Sequence, residues 1–263
     1  MIAIRSAVFN VAFYVNLLVL MVLGLPACLF GRPGVFFMAH LWARTSQGLL
    51  WTICGLRVEY RGLERIPAGG CIVAAKHQSF LETFSIALTF DDVAIILKRA
   101  LLFIPLFGLY LAASRQIAID RAQGRKALAQ IVGQAKAAMA EGRRILIFPE
   151  GTRRPPGAPP QYKFGVAAIY EGTGAICLPV AMNTGLFWGR RGFLRHPGVA
   201  VIEYLEPIEA GLDAKAFLAR LQEVTEAACD RLNAEAIARD PGLAARLGGA
   251  SERTPLPKGE GQG

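Results

Sequence analysis

The sequence predicts an α/β domain with a largely parallel central sheet flanked by helices, preceded by an N-terminal helical segment embedded in a membrane. Three observations lead to this fold class. After residue 55, short apolar runs alternate with helical patterns, as in domains built on a parallel sheet. The first sixty residues hold most of the apolar excess of a chain that is 53% hydrophobic and 19% charged. From residue 240 onward, glycine, proline and charged residues dominate, so little is left to bury.

Seven apolar runs have the length and composition of strands, and four segments have the character of helices. The organisation follows from them: a membrane-associated anchor at 1–55, a domain at 56–239 and a disordered tail at 240–263. The predicted strands are Leu56–Tyr60, Cys71–Ala75, Val93–Leu97, Gln116–Ile119, Ile145–Phe148, Ala175–Met182 and Val199–Tyr204, and the predicted helices are Phe80–Phe90, Ala122–Ala140, Phe164–Tyr170 and Ala214–Ala238.

The N-terminal segment contains two apolar stretches of different character. Residues Ala7–Phe30 run for 24 positions without a charge, and a membrane-spanning helix needs about 20. The stretch Val35–Leu56 is interrupted by Arg44 and Gln47, which is typical of a helix lying in the membrane interface. A cleaved signal peptide is disfavoured by the length of the first run and by Pro26. A single transmembrane anchor and a hairpin that enters one leaflet and returns both stay open.

Four arginines follow or interrupt these apolar stretches, at positions 32, 44, 57 and 61. Because positively charged segments stay on the cytoplasmic side of a membrane, we expect the domain at the cytoplasmic face of the inner or plasma membrane.

Composition narrows the range of partners. The net charge of +9 suits nucleic acid, anionic lipid or a phosphorylated substrate. The basic residues are scattered among apolar runs without a nucleic-acid-binding motif, so we expect membrane lipids and a phosphorylated ligand rather than nucleic acid. The five cysteines lack metal-ligand spacing and there are only three histidines, so no metal site is expected.

The segment AAKHQSFLETF, residues 74–84, is the first candidate site. A predicted strand ends, and His77 lies in the turn that follows it, at the edge where open α/β sheets place their sites. Glu82 comes five residues later, about 140° away around a continuous helix. The two side chains therefore meet only if His77 lies in the turn before the helix. A histidine held by a carboxylate is a general base.

The same residues also fit a purely structural role. Ser79 and Glu82 have the spacing of a capping box, in which the glutamate accepts a hydrogen bond from the serine backbone N–H. A carboxylate has two oxygens, so capping the helix and orienting His77 are compatible.

Three further strand ends carry candidate residues. In RRILIFPEGTRR, residues 143–154, a strand leads into Glu150, Gly151, Thr152 and Arg153, whose donors and positive charge suit a phosphate; a basic surface turn is the alternative. Ile117–Ile119 leads through Asp120 to Arg121, and Leu178-Pro179-Val180 is a strand interrupted by proline. Proline there indicates an edge or a bulge beside a ligand, or an ordinary irregular strand.

Taken together, these four segments resemble, in order, the motifs of the glycerolipid acyltransferase family that contains 1-acylglycerol-3-phosphate acyltransferase. The resemblance covers Gly55–Glu206 and the apolar N-terminus. The H-x4-D motif is similar to His77–Glu82, the Asp-Arg motif to Ile117–Arg121, with Lys98 and the turn Ile104–Gly108 upstream. The FPEGTR motif is intact at 148–153, and the proline-centred motif matches Leu178–Val180.

The resemblance implies the glycerolipid acyltransferase fold and transfer of a fatty acyl group to the sn-2 hydroxyl of lysophosphatidic acid. It implies that His77 takes the proton of the acceptor hydroxyl, that Glu82 orients His77, and that no covalent acyl-enzyme, metal or cofactor is needed beyond a thioester of coenzyme A or acyl carrier protein. The residues implied to shape the phosphate site are Lys98, Arg121, Glu150, Gly151, Thr152 and Arg153.

One position departs from the family pattern, because Glu82 stands where aspartate is usual. A shift of the helix or a bent rotamer must absorb the extra methylene. Another lysolipid acceptor, such as a lyso-ornithine lipid, and a non-catalytic lipid-binding protein on the same fold are the alternatives.

Overall fold

The computed structural model of the chain describes residues 1–120 and 124–249. A seven-stranded sheet has the order β1-β7-β6-β2-β5-β3-β4. Strands β2 to β6 are mutually parallel, whereas β7 runs antiparallel to β6 and pairs in parallel with β1. The strands are β1 Leu56–Arg61, β2 Ile72–Ala75, β3 Val93–Lys98, β4 Ile117–Ile119, β5 Arg144–Ile147, β6 Cys177–Met182 and β7 Gly198–Tyr204.

Helices cover both faces of this sheet, because its central strands are apolar on both sides. Ile72 and Ala74 point to one face, against helices α5, α6 and α7, and Val73 and Ala75 point to the other, against α2 and the helical turns after α3. The helices are α1 Ile2–Leu23, α2 Gly31–Leu49, α3 Leu81–Ser85, α4 Phe107–Ala113, α5 Gly124–Ala140, α6 Gly165–Thr173 and α7 Ala214–Arg239.

The N-terminal segment forms an antiparallel hairpin of α1 and α2, joined by 3-10 turns at Leu25–Phe30. Helix α1 is long and apolar enough to cross a membrane, and only 17% of its most apolar window is buried. Both of its ends are nevertheless held by the α/β domain. The Ser6 hydroxyl accepts a hydrogen bond from the Arg195 N–H (2.8 Å), and the Tyr110 hydroxyl donates to the Met21 carbonyl (2.8 Å).

All seven predicted strands are present, and the predicted fold class is confirmed. The predicted helix Phe80–Phe90 is divided into α3 and 3-10 turns at Ile86–Thr89. The first residues of the predicted helix Ala122–Ala140 lie outside the described residues, and α5 begins at Gly124. Helix α4 was not predicted from the sequence.

One expectation was wrong in detail, and one of the alternatives for Pro179 is excluded. The chain does not become irregular at residue 240: 3-10 turns occupy Pro241–Gly249 with a break at Leu247 and Gly248. Leu243 is buried there, and the Gly248 N–H donates to the Pro156 carbonyl. Residues 250–263 lie outside the described part. Pro179 is not at an edge, because β6 lies inside the sheet. Its carbonyl accepts a hydrogen bond from the Leu205 N–H, just beyond β7, but the proline nitrogen has no hydrogen with which to return one.

Candidate active site

The polar residues predicted to form a site meet at one edge of the sheet. Strands β2, β5 and β6 run in the same direction, so the segments after Ala75, Ile147 and Met182 emerge side by side. Backbone hydrogen bonds tie these segments together: the Arg154 N–H donates to the His77 carbonyl at 2.8 Å.

His77 and Glu82 are in direct contact. The distance between His77 Nδ1 and Glu82 Oε1 is 2.9 Å. His77 lies in the turn after β2 and Glu82 in the first turn of α3, so the ring reaches back over the start of the helix as the spacing requires. With Nδ1 donating to the carboxylate, the His77 Nε2 lone pair is left for an incoming proton.

Glu82 is fully buried and accepts four hydrogen bonds. Its Oε1 accepts from His77 Nδ1, from the Gln78 N–H (2.8 Å) and from the Ser79 N–H (2.7 Å), and its Oε2 accepts from the Thr184 hydroxyl (2.8 Å). Capping and orientation therefore coexist in one carboxylate. Hydrogen bonds to both oxygens hold the carboxylate in a fixed orientation against His77.

The His77 ring is packed but not closed off. It stacks on Phe148, with ring centroids 4.0 Å apart and an interplanar angle of 23°, and 13% of the side chain is exposed. Phe148 is the first residue after β5, so the FPEGTR segment fixes the plane of the imidazole. A ring held by stacking and by a carboxylate is preorganised for proton transfer.

A large apolar cavity of about 1080 Å³ opens at His77. Its walls come from the helical hairpin, from the segment between β3 and α4, and from α5. The polar positions at its rim are few, as in pockets for hydrophobic ligands. Of the predicted site residues, the cavity is lined by His77, Lys98, Gly151 and Arg153.

Arg153 lies beside the His77–Glu82 pair, called the dyad below. Its Nε donates to the Ser79 carbonyl at 2.8 Å, and its guanidinium lies 5.3 Å from the centre of the Phe80 ring. Burial lowers the pKa of Arg153, the charge of Arg190 lowers it further, and the charge of Glu82 acts in the opposite direction. A partly desolvated arginine with remaining N–H groups is a strong site for a phosphate.

Glu150 does not face the cavity. It is buried against Lys76, whose Nζ lies 3.2 Å from Glu150 Oε1 and 2.6 Å from Glu226 Oε1 of α7. Burial raises the pKa of the Glu150 carboxyl, and the charge of Lys76 offsets part of that effect. Glu150 thus contacts a basic residue other than Arg153, and it ties the end of β5 to the end of β2.

The other residues predicted for the phosphate site, Gly151, Thr152 and Arg121, do not share one environment. Gly151 has φ +66° and turns the chain out of the strand, a conformation that glycine adopts without strain. Thr152 is exposed and away from the cavity wall. Arg121 lies outside the described residues, whereas Ile119 at the end of β4 lines the cavity.

Several residues at the site were missed from the sequence. Thr184 bonds Glu82, Gln78 Oε1 accepts from the Gly185 N–H at 3.0 Å, and Lys76 pairs with Glu150. A signal for Thr184 was available, because it lies two residues after the proline-centred strand and so belongs to the same sheet edge. Lys76 directly precedes His77, but its partner Glu226 on α7 could not be inferred from spacing.

A histidine paired with a carboxylate beside an apolar cavity fits acyl transfer, and sequence comparison places the chain among the acyltransferases. A family described as Acyltransferase matches residues 57–183, which include the His77–Glu82 pair and the intact FPEGTR segment.

Individual relatives narrow the class. A 1-acyl-sn-glycerol-3-phosphate acyltransferase of Pseudomonas aeruginosa is 37% identical over 191 residues, covering 73% of this chain and 74% of the relative. A chloroplastic 1-acyl-sn-glycerol-3-phosphate acyltransferase of Brassica napus is 28% identical over 195 residues, 71% of this chain and 55% of its own length. This chain belongs to the family of 1-acyl-sn-glycerol-3-phosphate acyltransferases, and the resemblance drawn from its motifs is confirmed.

The fold agrees with a solved structure. The crystal structure of the 1-acyl-sn-glycerophosphate (LPA) acyltransferase PlsC from Thermotoga maritima is similar with a TM-score of 0.73, over 88% of this chain and 98% of that one, at 23% identity. The similarity confirms the acyltransferase fold, including the mostly parallel sheet.

Proposed function

We propose that this protein moves a fatty acyl group from an acyl thioester to the sn-2 hydroxyl of lysophosphatidic acid and so forms phosphatidic acid for phospholipid synthesis. The observation that carries the proposal is the His77 Nδ1–Glu82 Oε1 contact of 2.9 Å, with His77 in the wall of a large apolar cavity. The relatives' activity supports the choice of acceptor.

The chemistry requires a base and a place for the acyl chain. His77 Nε2 takes the proton of the acceptor hydroxyl while the hydroxyl oxygen forms a bond to the thioester carbonyl carbon. The carbon–sulfur bond then breaks, and the proton passes from His77 to the leaving sulfur. Glu82 stabilises the imidazolium that exists between these two transfers. The reaction uses the thioester as co-substrate and no further cofactor.

The acceptor's phosphate is assigned to the basic residues near His77. Arg153 and Lys98 line the cavity, and each can donate to phosphate oxygens. Arg121 keeps its predicted place in this site on the strength of the motif alone. Glu150 holds the FPEGTR segment in position through Lys76, and Thr152, which is exposed, completes the turn. A carrier of either kind, coenzyme A or acyl carrier protein, supplies the acyl group.

We propose further that the hairpin of α1 and α2 anchors the protein at the cytoplasmic face of the membrane. Helix α1 exposes Val11, Val15 and Leu18 at 66%, 54% and 58%, while both of its ends are fastened to the domain. A helix held along a domain in this way favours a hairpin within one leaflet over a spanning anchor. Protease added outside sealed inverted vesicles should cut the tail; cutting only from the opposite, periplasmic or extracellular side would refute the orientation.

The decisive experiment measures turnover by the pure protein against a panel of lysolipids, with both thioester donors and with products identified by mass. Replacement of His77 by alanine should reduce kcat by about 10²- to 10⁴-fold. As the control, His196→Asn changes a histidine outside the cavity and should keep kcat. A His77→Ala variant with more than roughly a tenth of the wild-type kcat would show that His77 is not the base. Turnover of a lyso-ornithine lipid, which has no phosphate, would refute the assignment of the acceptor.

A further inference from the structure

The segment Lys98–Leu109 runs from the end of β3 into the first residues of α4, and it carries a second apolar surface outside residues 1–55. Phe103 is 75% exposed and Leu109 is 57% exposed, and neither of them lines the cavity. Large apolar side chains exposed together mark an interaction site.

The inner side of the same segment belongs to the cavity. Leu101, Pro105, Leu106 and Phe107 line it, and Ile104 both lines it and is 45% exposed. One short segment therefore separates the apolar cavity from the outside, and Ile104 lies where the two meet.

This segment is preformed rather than loose. The Gly108 N–H donates to the Ile104 carbonyl at 2.8 Å. A Cβ on Gly108 would lie 2.0 Å from the Leu102 carbonyl oxygen, so the turn closes tightly and only glycine fits. Leu106 is held at φ +62° at the start of α4, a strained conformation for leucine.

The exposed side chains continue the apolar surface of the helical hairpin. The Tyr110 hydroxyl donates to the Met21 carbonyl of α1 at 2.8 Å, and the neighbouring hairpin turn exposes Leu29 at 88% and Phe30 at 75%. Arg99 is exposed at the start of the segment. An exposed aromatic side chain and an exposed cation in one short segment suit the boundary between acyl chains and anionic headgroups.

We propose that the segment Lys98–Leu109 inserts Phe103 and Leu109 into the lipid leaflet and forms the rim at which acyl chains pass from the bilayer into the cavity. The occupant is the acyl-chain region of an anionic phospholipid leaflet. The inference rests on the proposed function, because it assigns the point of entry to the same site.

A depth measurement tests the insertion. In a Cys28→Ser background, where the remaining native cysteines are buried, an environment-sensitive fluorophore is attached at Phe103→Cys, at Val15→Cys on α1, or at Leu212→Cys at the opposite edge of the sheet. Phosphatidylglycerol–phosphatidylethanolamine vesicles carry nitroxide-labelled acyl chains. The fluorophores at 103 and 15 should be quenched to a similar extent, and the one at 212 should stay bright.

The outcomes separate this inference from the proposed function. Quenching at 15 without quenching at 103 overturns the inference and leaves the membrane anchor intact. Quenching at neither position overturns both. A response at 103 to acyl carrier protein, but not to nitroxide lipid, would assign the surface to that carrier and overturn the inference as well.

Kinetics give a second readout on the full-length protein. The double variant Phe103→Ser, Leu109→Ser should lose at least about tenfold in turnover of vesicle-borne acceptor, because it removes two large apolar side chains from the lipid. Its turnover of a short-chain monomeric acceptor should stay within about twofold of wild type. Leu212→Ser is the matched control and should change neither. Equal loss on both acceptors would overturn the inference.

Discussion

Replacing Glu82 by glutamine separates its two roles. Glutamine fills the same space, and its amide oxygen can still accept from the backbone N–H groups of Gln78 and Ser79. What disappears is the charge beside the His77 imidazolium. Two unit charges about 4 Å apart attract by about 4 kcal/mol at an effective dielectric constant of about 20. Since the dipole of the glutamine amide keeps part of this attraction, we expect transition-state stabilisation to fall by about 3 kcal/mol and kcat to fall by about 10²-fold.

The assay is steady-state turnover of lysophosphatidic acid, paired with a thermal melt of each variant. Asp213→Asn is the matched control: Asp213 caps α7 by accepting from the Ala216 N–H (2.8 Å), and α7 begins at the opposite edge of the sheet, so it should lower the melting temperature slightly and leave kcat unchanged. Glu82→Asp keeps the charge and should retain more kcat than Glu82→Gln. A Glu82→Gln variant that melts earlier with unchanged kcat would refute the orienting role and leave Glu82 as a helix cap.

Three further predictions concern the surroundings of the dyad. Thr184→Val removes the donor to Glu82 Oε2 and should lower kcat about tenfold, the cost of roughly one hydrogen bond to a charged group, at unchanged KM for both substrates. Thr184→Ser keeps the hydroxyl and should retain the wild-type kcat; a serine variant as impaired as the valine variant would contradict a hydrogen-bonding role. Arg153→Ala should raise KM for the lysolipid by about ten- to a hundredfold and leave KM for the thioester unchanged, whereas damage to both KM values would indicate a folding defect. Burial, reinforced by the charge of Arg246, lowers the pKa of His196 from 6.5 to about 4, so the unfolded chain binds this proton more readily than the folded one. Stability should therefore fall as the pH drops from 6.5 toward 4, and denaturant titrations of His196→Asn should show a smaller loss over that range; an identical loss would contradict the burial of a neutral His196.

The strand pattern could be predicted because each strand is an apolar run bounded by turn residues. Ile72–Ala75 is buried on both faces, which is the environment that a continuous apolar run predicts. The contact of His77 with Glu82 also followed from spacing, since only a turn before the helix lets the two side chains meet. The assignments to the phosphate site all stay predictions, and they concern Lys98, Arg121, Glu150, Gly151, Thr152 and Arg153.

Other parts of the site depend on contacts between segments that are distant in sequence. Thr184 lies 102 residues after Glu82, and Lys76 lies 150 residues before Glu226. Neither pair has a local pattern, because the sheet order brings them together. The 3-10 turns at Pro241–Gly249 also depend on contacts that are distant in sequence. Leu243 packs in the cluster that contains Trp188 and Phe9, so composition alone predicted an irregular tail from too early a residue.

The hairpin and the dyad are physically continuous. Phe13 of α1 lies within 6.0 Å of Phe80 and 6.1 Å of Phe84 by ring centroids, and within 5.8 Å of Trp188. Phe80 and Phe84 flank Glu82 on either side, and Trp188 follows Thr184 by one helical turn. The rings of the anchor thus pack on both segments that hold the Glu82 carboxylate. Removing residues 1–55 would therefore expose this aromatic cluster as well as detach the protein from lipid. For that reason, point substitutions on the outer face of the hairpin separate membrane binding from catalysis more cleanly than truncation does.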